Sequence, residues 1–244
     1  MAHRVGIIGL GTVGSRFVEQ FNLHDAFDLI SAWDIDDEAC SSHADSVRIA
    51  SSADDLIAEC DLVYVAVPPL HHQQYVLDCL SHKTAIFCEK PLGLSIKEIM
   101  EVKSLVDSKN LNLHIGFNRR FDPDFSSLKS SVVSGEIGDI HMIKIISRDP
   151  SPPPISYIEK SGGMFLDMTI HDFDMVKYLS GVEISEVYAK GDCFIDPEIK
   201  KANDIDTAVI NMTLKNGVLA TIQNSRKAVY GLSLIHISEP TRPY

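Results

Sequence analysis

The chain has 244 residues, of which 45% are hydrophobic and 23% are charged. This balance is typical of a folded globular protein with one large domain or two modest ones, and it excludes a disordered chain. The formal net charge of −12 disfavours nucleic-acid and anionic-membrane partners, because phosphates attract basic surfaces. No segment reaches the roughly 18–20 consecutive apolar residues that a membrane-spanning helix needs.

Cysteine usage and the N-terminal sequence together predict a cytoplasmic location. The five cysteines are odd in number and show no C-x-x-C spacing, as expected in a reducing compartment. The apolar run Val5–Leu10 is too short for the core of a signal peptide and leads directly into glycines.

A glycine-rich loop follows the first predicted strand. Arg4–Ile8 is a β-branched apolar run typical of a buried parallel strand, and Gly9, Gly11 and Gly14 then spell G-x-G-x-x-G. These glycines permit a tight turn, close approach to a pyrophosphate and close packing of the following helix. Because helical periodicity begins at Thr12, the pattern predicts a dinucleotide-binding loop; a glycine turn without a ligand is the alternative.

An acidic residue after the second predicted strand favours NAD over NADP. Asp34 follows the apolar run LISAW and lies 20 residues after Gly14. A carboxylate at this place accepts the ribose hydroxyls and repels a 2′-phosphate. The neighbouring Asp36 and Asp37 have an alternative to a role in dinucleotide binding, which is a solvated turn before a helix. The residues predicted here to bind the cofactor are Gly9, Gly11, Thr12, Val13, Gly14 and Asp34.

Strands and helices continue to alternate up to about residue 119. Strands are predicted in DLVYVAV, TAIFCEKP and LNLHIGF, and a serine-capped helix in SSADDLIAEC. Another helix follows Pro68-Pro69, and Ser95 with Glu98 forms a capping box that opens a helix to about Lys109. This order predicts a doubly wound parallel sheet, whose ligands bind beyond the carboxyl ends of the strands. Two such ends are Val67-Pro68-Pro69 and Cys88-Glu89-Lys90-Pro91.

The second half has a different pattern. A helix is predicted over 123–134, a strand in GDIHMIKIISRD, a polyproline-like loop in SPPPI, and a helix in SGGMFLDMTIHDFDM. Strands follow near 186–194, 207–214 and 218–225, the last two flanking the hairpin signal Asn216-Gly217. The predicted fold is therefore α/β: a Rossmann NAD-binding domain over 1–119, then an α+β domain with a mostly antiparallel open sheet over 120–231.

The helix in SGGMFLDMTIHDFDM carries titratable side chains. At about 100° per residue, Asp167, His171, Asp174 and Tyr178 share one stripe, while Asp172 falls on the apolar side and is interpreted as an end or cap contact. Asp167 and His171, four residues apart, can hydrogen-bond, which suits a histidine that accepts a proton from an alcohol. A zinc site lacking its third ligand and a solvated helix face are the alternatives. Apolar residues expected to pack are Phe165, Met168, Met175, Val176 and Leu179.

Lys90 follows a predicted strand where the nicotinamide is expected. Pro91 fixes the turn, and an ammonium there can hydrogen-bond the hydroxyl of a substrate. A merely exposed lysine is the alternative.

These motifs, from Arg4 through Gly231, resemble the glucose–fructose oxidoreductase / inositol dehydrogenase / MocA family. The E-K-P element of the family is Glu89-Lys90-Pro91, and its D-x-x-x-H pair is Asp167 and His171. Its T-P-x-x-x-H element resembles the segment from Pro68 to His72, with valine in place of the usual threonine. On the basis of this resemblance, five more residues are expected to bind the cofactor: Val67, Pro68, His72, Glu89 and Lys90.

GFNRRFD, SRDP and the titratable helix resemble the inositol dehydrogenases of this family. The resemblance implies NAD-dependent oxidation of a cyclic polyol, with myo-inositol converted to its 2-keto derivative, and a homo-tetramer when the protein is full length. No metal is expected, because the third ligand of a zinc site is missing. Another sugar or polyol dehydrogenase, a non-catalytic NAD-sensing regulator and a zinc hydrolase are the alternatives. The expected catalytic residues are Lys90, Asp167 and His171, with either Lys90 or His171 as the formal base. The expected substrate contacts are Lys90, Arg120, Asp167, His171, Asp174 and Tyr230.

The last thirteen residues, LSLIHISEPTRPY, depart from the family pattern after Tyr230-Gly231. They resemble the translation of a transposase-type sequencing-library adapter, so residues 232–244 are expected to be a non-native tail; a divergent natural terminus is the alternative. A second domain without its later strands would expose a sheet edge, and we expect such a chain to be poorly soluble or inactive.

Overall fold

A computed structural model describes residues 2–228 and the short segment 233–235. The chain divides into two compact units, with the division between Gly116 and Phe117. Along the described residues, no helix is both long enough and apolar enough to cross a membrane.

The first unit is a five-stranded parallel sheet with strand order β2-β1-β3-β4-β5. All four neighbouring pairs are parallel, and Val65 of β3 lies beside Cys88 of β4. The predicted doubly wound Rossmann sheet is therefore confirmed. The strands are β1 His3–Ile8, β2 Phe27–Trp33, β3 Leu62–Val65, β4 Ala85–Cys88 and β5 Leu113–Ile115.

Helices connect these strands and begin where the sequence predicts. Ser52 caps the third helix, and Ser95 with Glu98 forms the predicted capping box, in which each side chain accepts from the other's backbone N–H. Asn110 ends the fifth helix with φ +51°. The helices are α1 Thr12–Asn22, α2 Asp37–His43, α3 Ala53–Glu59, α4 His72–His82 and α5 Ile96–Lys109.

The second unit holds a mixed sheet with strand order β10-β6-β9-β8-β7. The pairs β7–β8, β8–β9 and β10–β6 are antiparallel, whereas β6 and β9 run parallel. The predicted hairpin is confirmed, and Gly217 turns it with φ +86°. The strands are β6 Met142–Arg148, β7 Ile184–Asp192, β8 Thr207–Leu214, β9 Leu219–Ser225 and β10 Ser233–Ile235.

Helices of the second unit pack on one face of this sheet. Alternate residues of β8 and β9, such as Ile210 and Ile222, are buried against Met164, Met175 and Val176. Among the side chains that the structure describes, the opposite face exposes one apolar side chain from each of four neighbouring strands: Met142, Tyr188, Val209 and Leu219. The helices are α6 Pro123–Val133, α7 Ile155–Ser161, α8 Ile170–Ser180 and α9 Pro197–Lys201.

The structure differs from the predicted helix in SGGMFLDMTIHDFDM. Residues Ile155–Ser161 form a separate helix, which ends at Gly162 with φ +83°. Phe165–Thr169 then forms a π-helical turn that passes into α8. A π-helix rotates less per residue than an α-helix, so the 100° rule places Asp167 wrongly relative to α8. Phe165, expected to pack, is exposed, while the other four apolar residues are buried.

Of the remaining predictions, several lie outside the described residues. Tyr230, Gly231 and most of the expected non-native tail belong to this group; within the tail, only β10 is described, beside β6.

Candidate active site

The glycine loop has the shape that a pyrophosphate requires. Gly9 has φ +102°, and a Cβ there would come within 2.7 Å of the backbone of Ala66. A Cβ on Gly14 would collide with the carbonyl oxygen of Gly9, whereas one on Gly11 would meet no described atom within 4 Å. Within residues 2–228, no side chain caps the first turn of α1, so its N–H groups stay available to an anion. The loop therefore fits a dinucleotide.

Asp34 lies beside this loop at the end of β2. Its Oδ2 accepts from the backbone N–H of Leu10 at 2.6 Å, and its Oδ1 accepts from that of Asp36 at 2.9 Å. Each carboxylate oxygen retains a further acceptor position. The structure thus brings Asp34 to the glycine loop, as a ribose-binding carboxylate requires.

His72 links the loops that follow the neighbouring strands β3 and β4. Its Nε2 lies 2.8 Å from the carbonyl oxygen of Val67, and its Nδ1 lies 2.6 Å from that of Pro91. A neutral imidazole can donate to one of these oxygens, and only the charged form donates to both. Burial lowers the pKa of His72, and the two carbonyls oppose that effect. The buried ring is not placed to contact a cofactor directly. His72 can instead affect cofactor binding by holding the two loops in place.

Glu89 and Lys90 stand directly after β4. Tyr64, fully buried, donates to Glu89 Oε1 at 2.7 Å, and burial together with the charge of Glu89 raises the pKa of Tyr64. The backbone N–H of Lys90 contacts the other carboxylate oxygen at 3.3 Å. The two hydrogen bonds hold the Glu89 carboxylate in place. They also stabilise the turn that carries Lys90, whose side chain is partly exposed.

Asp167 lies on the π-helical turn and is held by residues from other elements. Tyr157 of α7 donates to Oδ1 at 2.8 Å, and Arg226, directly after β9, donates to Oδ2 at 3.3 Å. Burial and the charge of Asp167 raise the pKa of Tyr157, which keeps its hydroxyl a donor. His171 follows on the first turn of α8 and is partly exposed.

Arg120 and Asp174 form a two-point ion pair. Arg120 Nε donates to Asp174 Oδ2 at 2.9 Å, and its Nη2 donates to Oδ1. This contact raises the pKa of Arg120. Asp174 is buried while Arg120 is partly exposed, so the guanidinium keeps N–H groups that can reach a ligand.

Asp172 is not the end or cap contact that the sequence suggested. Its side chain is fully buried at the centre of a polar cluster, where it accepts from Ser147 and from Asn224 at 2.7 Å each. Arg119 supplies the compensating positive charge through Nη1. A buried carboxylate requires such partners, and here they lie far away in the sequence.

Three residues that sequence reasoning missed are Tyr157, Asp204 and Arg226. Arg226 is only 1% exposed and donates to both Asp167 and Asp204. For Arg226, the sequence offers one signal of a buried ion pair, namely its position directly after a strand of alternating apolar and polar residues. Among the described residues, no group of three or more His, Cys, Asp or Glu side chains could hold a metal ion.

Comparison with known proteins agrees with this geometry. Residues 3–117 match the GFO/IDH/MocA oxidoreductase family with its NAD-binding Rossmann fold, and residues 125–238 match a GFO/IDH/MocA C-terminal domain. The chain is 43% identical over 231 residues to the uncharacterized oxidoreductase YrbE of Bacillus subtilis, covering 93% of this chain and 68% of that protein. It is 41% identical over 233 residues to the myo-inositol 2-dehydrogenase of Thermotoga maritima, covering 93% and 70% respectively.

A solved structure extends the comparison to ligands. The scyllo-inositol dehydrogenase of Lactobacillus casei, crystallised with NAD(H) and scyllo-inositol, superposes with a TM-score of 0.88 at 29% identity. The match covers 98% of this chain and 75% of that one. With the glycine loop and Asp34 arranged for a dinucleotide, the chain belongs to the GFO/IDH/MocA family and is an NAD-dependent oxidoreductase.

Proposed function

We propose that this protein oxidises a ring carbinol of a cyclic polyol to a ketone, with myo-inositol giving its 2-keto derivative. Residues 1–119 hold the dinucleotide, and residues 120–231 hold the polyol. The observation that carries the proposal is the arrangement of the π-helical turn and α8. Tyr157 and Arg226 hold the Asp167 carboxylate, His171 follows on the first turn of α8, and Asp174 of α8 pairs with Arg120. Relatives named as inositol dehydrogenases support the choice of substrate.

Each side chain has a defined task in this proposal. His171 accepts the proton of the substrate hydroxyl, and Asp167 orients His171 and offsets its developing positive charge. Lys90 donates a hydrogen bond to the same substrate oxygen and could itself be the formal base. When bound, NAD would accept the hydride from the carbinol carbon of the substrate.

Substrate recognition is assigned to the ion pair of the second unit. Arg120, with N–H groups left over from its contact with Asp174, donates to ring hydroxyls, and Tyr230 is a further expected contact. Because Asp174 fixes the guanidinium at two points, the direction of these donors is set before substrate arrives.

The experiment is NADH formation by the full-length protein, in which residues 232–244 are replaced by the natural continuation, with a panel of inositols and aldoses. His171→Ala and Lys90→Ala should each lower kcat by about 10²–10⁴-fold, the usual contribution of a positioned proton-transfer group. The exposed residues His82 and Lys97 offer matched controls, and His82→Ala and Lys97→Ala should leave kcat unchanged.

Three results would contradict the proposal in different ways. Turnover of aldoses without inositols indicates another sugar dehydrogenase. Binding of NAD without turnover of any polyol supports a sensing role. Unchanged kcat in His171→Ala and Lys90→Ala removes the assigned catalytic residues.

We also propose a cytoplasmic location and, for the full-length protein, a homo-tetramer. The outer sheet face of the second unit exposes Met142, Tyr188, Val209 and Leu219, a surface that a second copy would cover. All five cysteines are free thiols, as expected in a reducing compartment.

A further inference from the structure

Asp167 is held at both carboxylate oxygens by groups from outside its own helix. Tyr157 donates to Oδ1 at 2.8 Å and Arg226 to Oδ2 at 3.3 Å. We propose that Arg226, assisted by Tyr157, is a positioning residue that holds Asp167 and partly offsets its charge, so that His171 can both accept a proton and release it again. This inference rests on the proposed function for the identity of the proton acceptor.

The guanidinium of Arg226 is locked in place. Its Nη2 donates to Asp204 Oδ2 at 3.3 Å, and its backbone N–H donates to the carbonyl oxygen of Asp206 at 2.8 Å. Asp204 is fixed in turn, since its Oδ1 accepts from the backbone N–H of Met164 at 3.0 Å. With 1% of its side chain exposed, Arg226 cannot turn toward solvent.

The charges of this cluster favour a protonated imidazole nearby. Asp167 and Asp204 share one guanidinium, so one negative charge remains in excess, and Asp149 adds another on the side of Tyr157. A negative surplus stabilises the imidazolium that His171 becomes after accepting a proton. The titratable groups named around Asp167 come from five places: Asp149 directly after β6, Tyr157 of α7, Asp204 before β8, Arg226 after β9 and His171 of α8.

The test is a histidine NMR titration of the whole chain with two opposite charge changes. Arg226→Met removes a cation and should raise the pKa of His171 by roughly half a unit or more, while Asp204→Asn removes an anion and should lower it. Arg226→Lys keeps the charge and should leave the pKa close to that of the unsubstituted protein. The His171 signal is identified by its loss in His171→Gln.

A purely structural role predicts a different pattern. Arg226→Met and Asp204→Asn would then lower the unfolding temperature alike, and the His171 pKa would stay unchanged or move in the same direction in both. Either result overturns the inference. If Arg226→Met does not fold, Tyr157→Phe takes its place, because loss of the hydroxyl donor should also raise the His171 pKa, and no shift would refute the coupling.

The titration needs no substrate, so its outcome is separate from that of the proposed function. Opposite shifts support the coupling even where no polyol is oxidised. Conversely, NADH formation with inositols together with an unshifted His171 titration contradicts the coupling and leaves the proposed function standing.

Discussion

At the scale of single residues, the contacts of buried polar groups decide what each side chain can do. Asp34 has one bond to the glycine loop and acceptor positions left over, which suits a ligand contact. His72 has both nitrogens directed at carbonyl oxygens and is buried, which suits a link between two loops. Both residues were predicted to bind the cofactor. Asp34 is suited to contact it directly, whereas His72 is suited to hold the two loops that would contact it.

Asp34 should set the choice between NAD and NADP. We expect Asp34→Ser to raise the Kd for NAD about tenfold, which corresponds to about 1.4 kcal/mol, and to weaken the preference over NADP because the repulsive charge is lost. Calorimetric titration with both dinucleotides measures this. Asp36→Asn removes an equal charge from a residue that only caps α2, so an equal loss of NAD affinity there would show that the effect is general electrostatics.

The protonation state of His72 should appear in the pH dependence of stability. Burial lowers its native pKa below the value of about 6.5 in an unfolded chain, so the unfolded chain takes up the proton first as the pH falls. Its contribution to stability is therefore complete above about pH 6.5 and is lost below it, by up to about 1.4 kcal/mol per pH unit.

Urea unfolding at several pH values tests this for His72→Asn. The difference in unfolding free energy between the unsubstituted protein and His72→Asn should narrow as the pH falls, whereas exposed His71→Asn should show no such trend. A difference that widens instead would mean that His72 is charged in the native state and donates to both carbonyl oxygens.

At the scale of elements, α8 is fixed to its surroundings by two adjacent ion pairs of different burial. Asp172 pairs with Arg119, whose side chain is 16% exposed, and Asp174 pairs with Arg120, which is 42% exposed. Both arginines lie on the short 3-10 turn Asn118–Phe121 at the start of the second unit. The first pair therefore stabilises the packing of α8, and the second keeps a side that can meet a ligand.

Removing the two carboxylates should have unequal costs. Asp172→Asn leaves Arg119 without its buried counter-charge and should lower the free energy of unfolding by about 3–5 kcal/mol. Asp174→Asn should cost markedly less, because Arg120 can turn toward water. Chemical denaturation of both variants provides the comparison, and equal losses would argue against burial as the cause.

At the scale of the whole molecule, the second unit buries one sheet face and exposes the other. Strand register places Tyr188, Asn211 and Thr221 side by side on the exposed face, with Met142 and Leu219 paired next to them. The edge strand β7 is exposed along nearly its whole length. An apolar face and an open edge of this kind are typical of a surface between subunits.

A charge on this face should prevent assembly. Leu219→Glu and Tyr188→Glu should each lower the mass found by sedimentation velocity toward that of one chain, because burying an unpaired carboxylate is costly. Leu23→Glu places the same charge on an exposed residue of the first unit and should leave the mass unchanged. A single-chain mass for the full-length protein without these substitutions would disprove the proposed tetramer.

Local features of the sequence determined the nucleotide-binding unit. The order of strands and helices, the roles of Gly9 and Gly14 and the capping box at Ser95 follow from hydrophobic period and turn geometry, which act over a few residues. The antiparallel hairpin at Asn216-Gly217 could be predicted for the same reason.

Only the tertiary structure decided which charges meet. Arg119 lies 53 residues from Asp172, and Arg226 lies 59 residues from Asp167, so no local pattern links them. The parallel pairing of β6 with β9 and the π-helical turn that redirects Asp167 likewise depend on packing between distant segments. The sequence by itself determined a dinucleotide-binding fold and a titratable helix, and the fold decided how that helix is held, because the partners of buried charges are set by long-range packing.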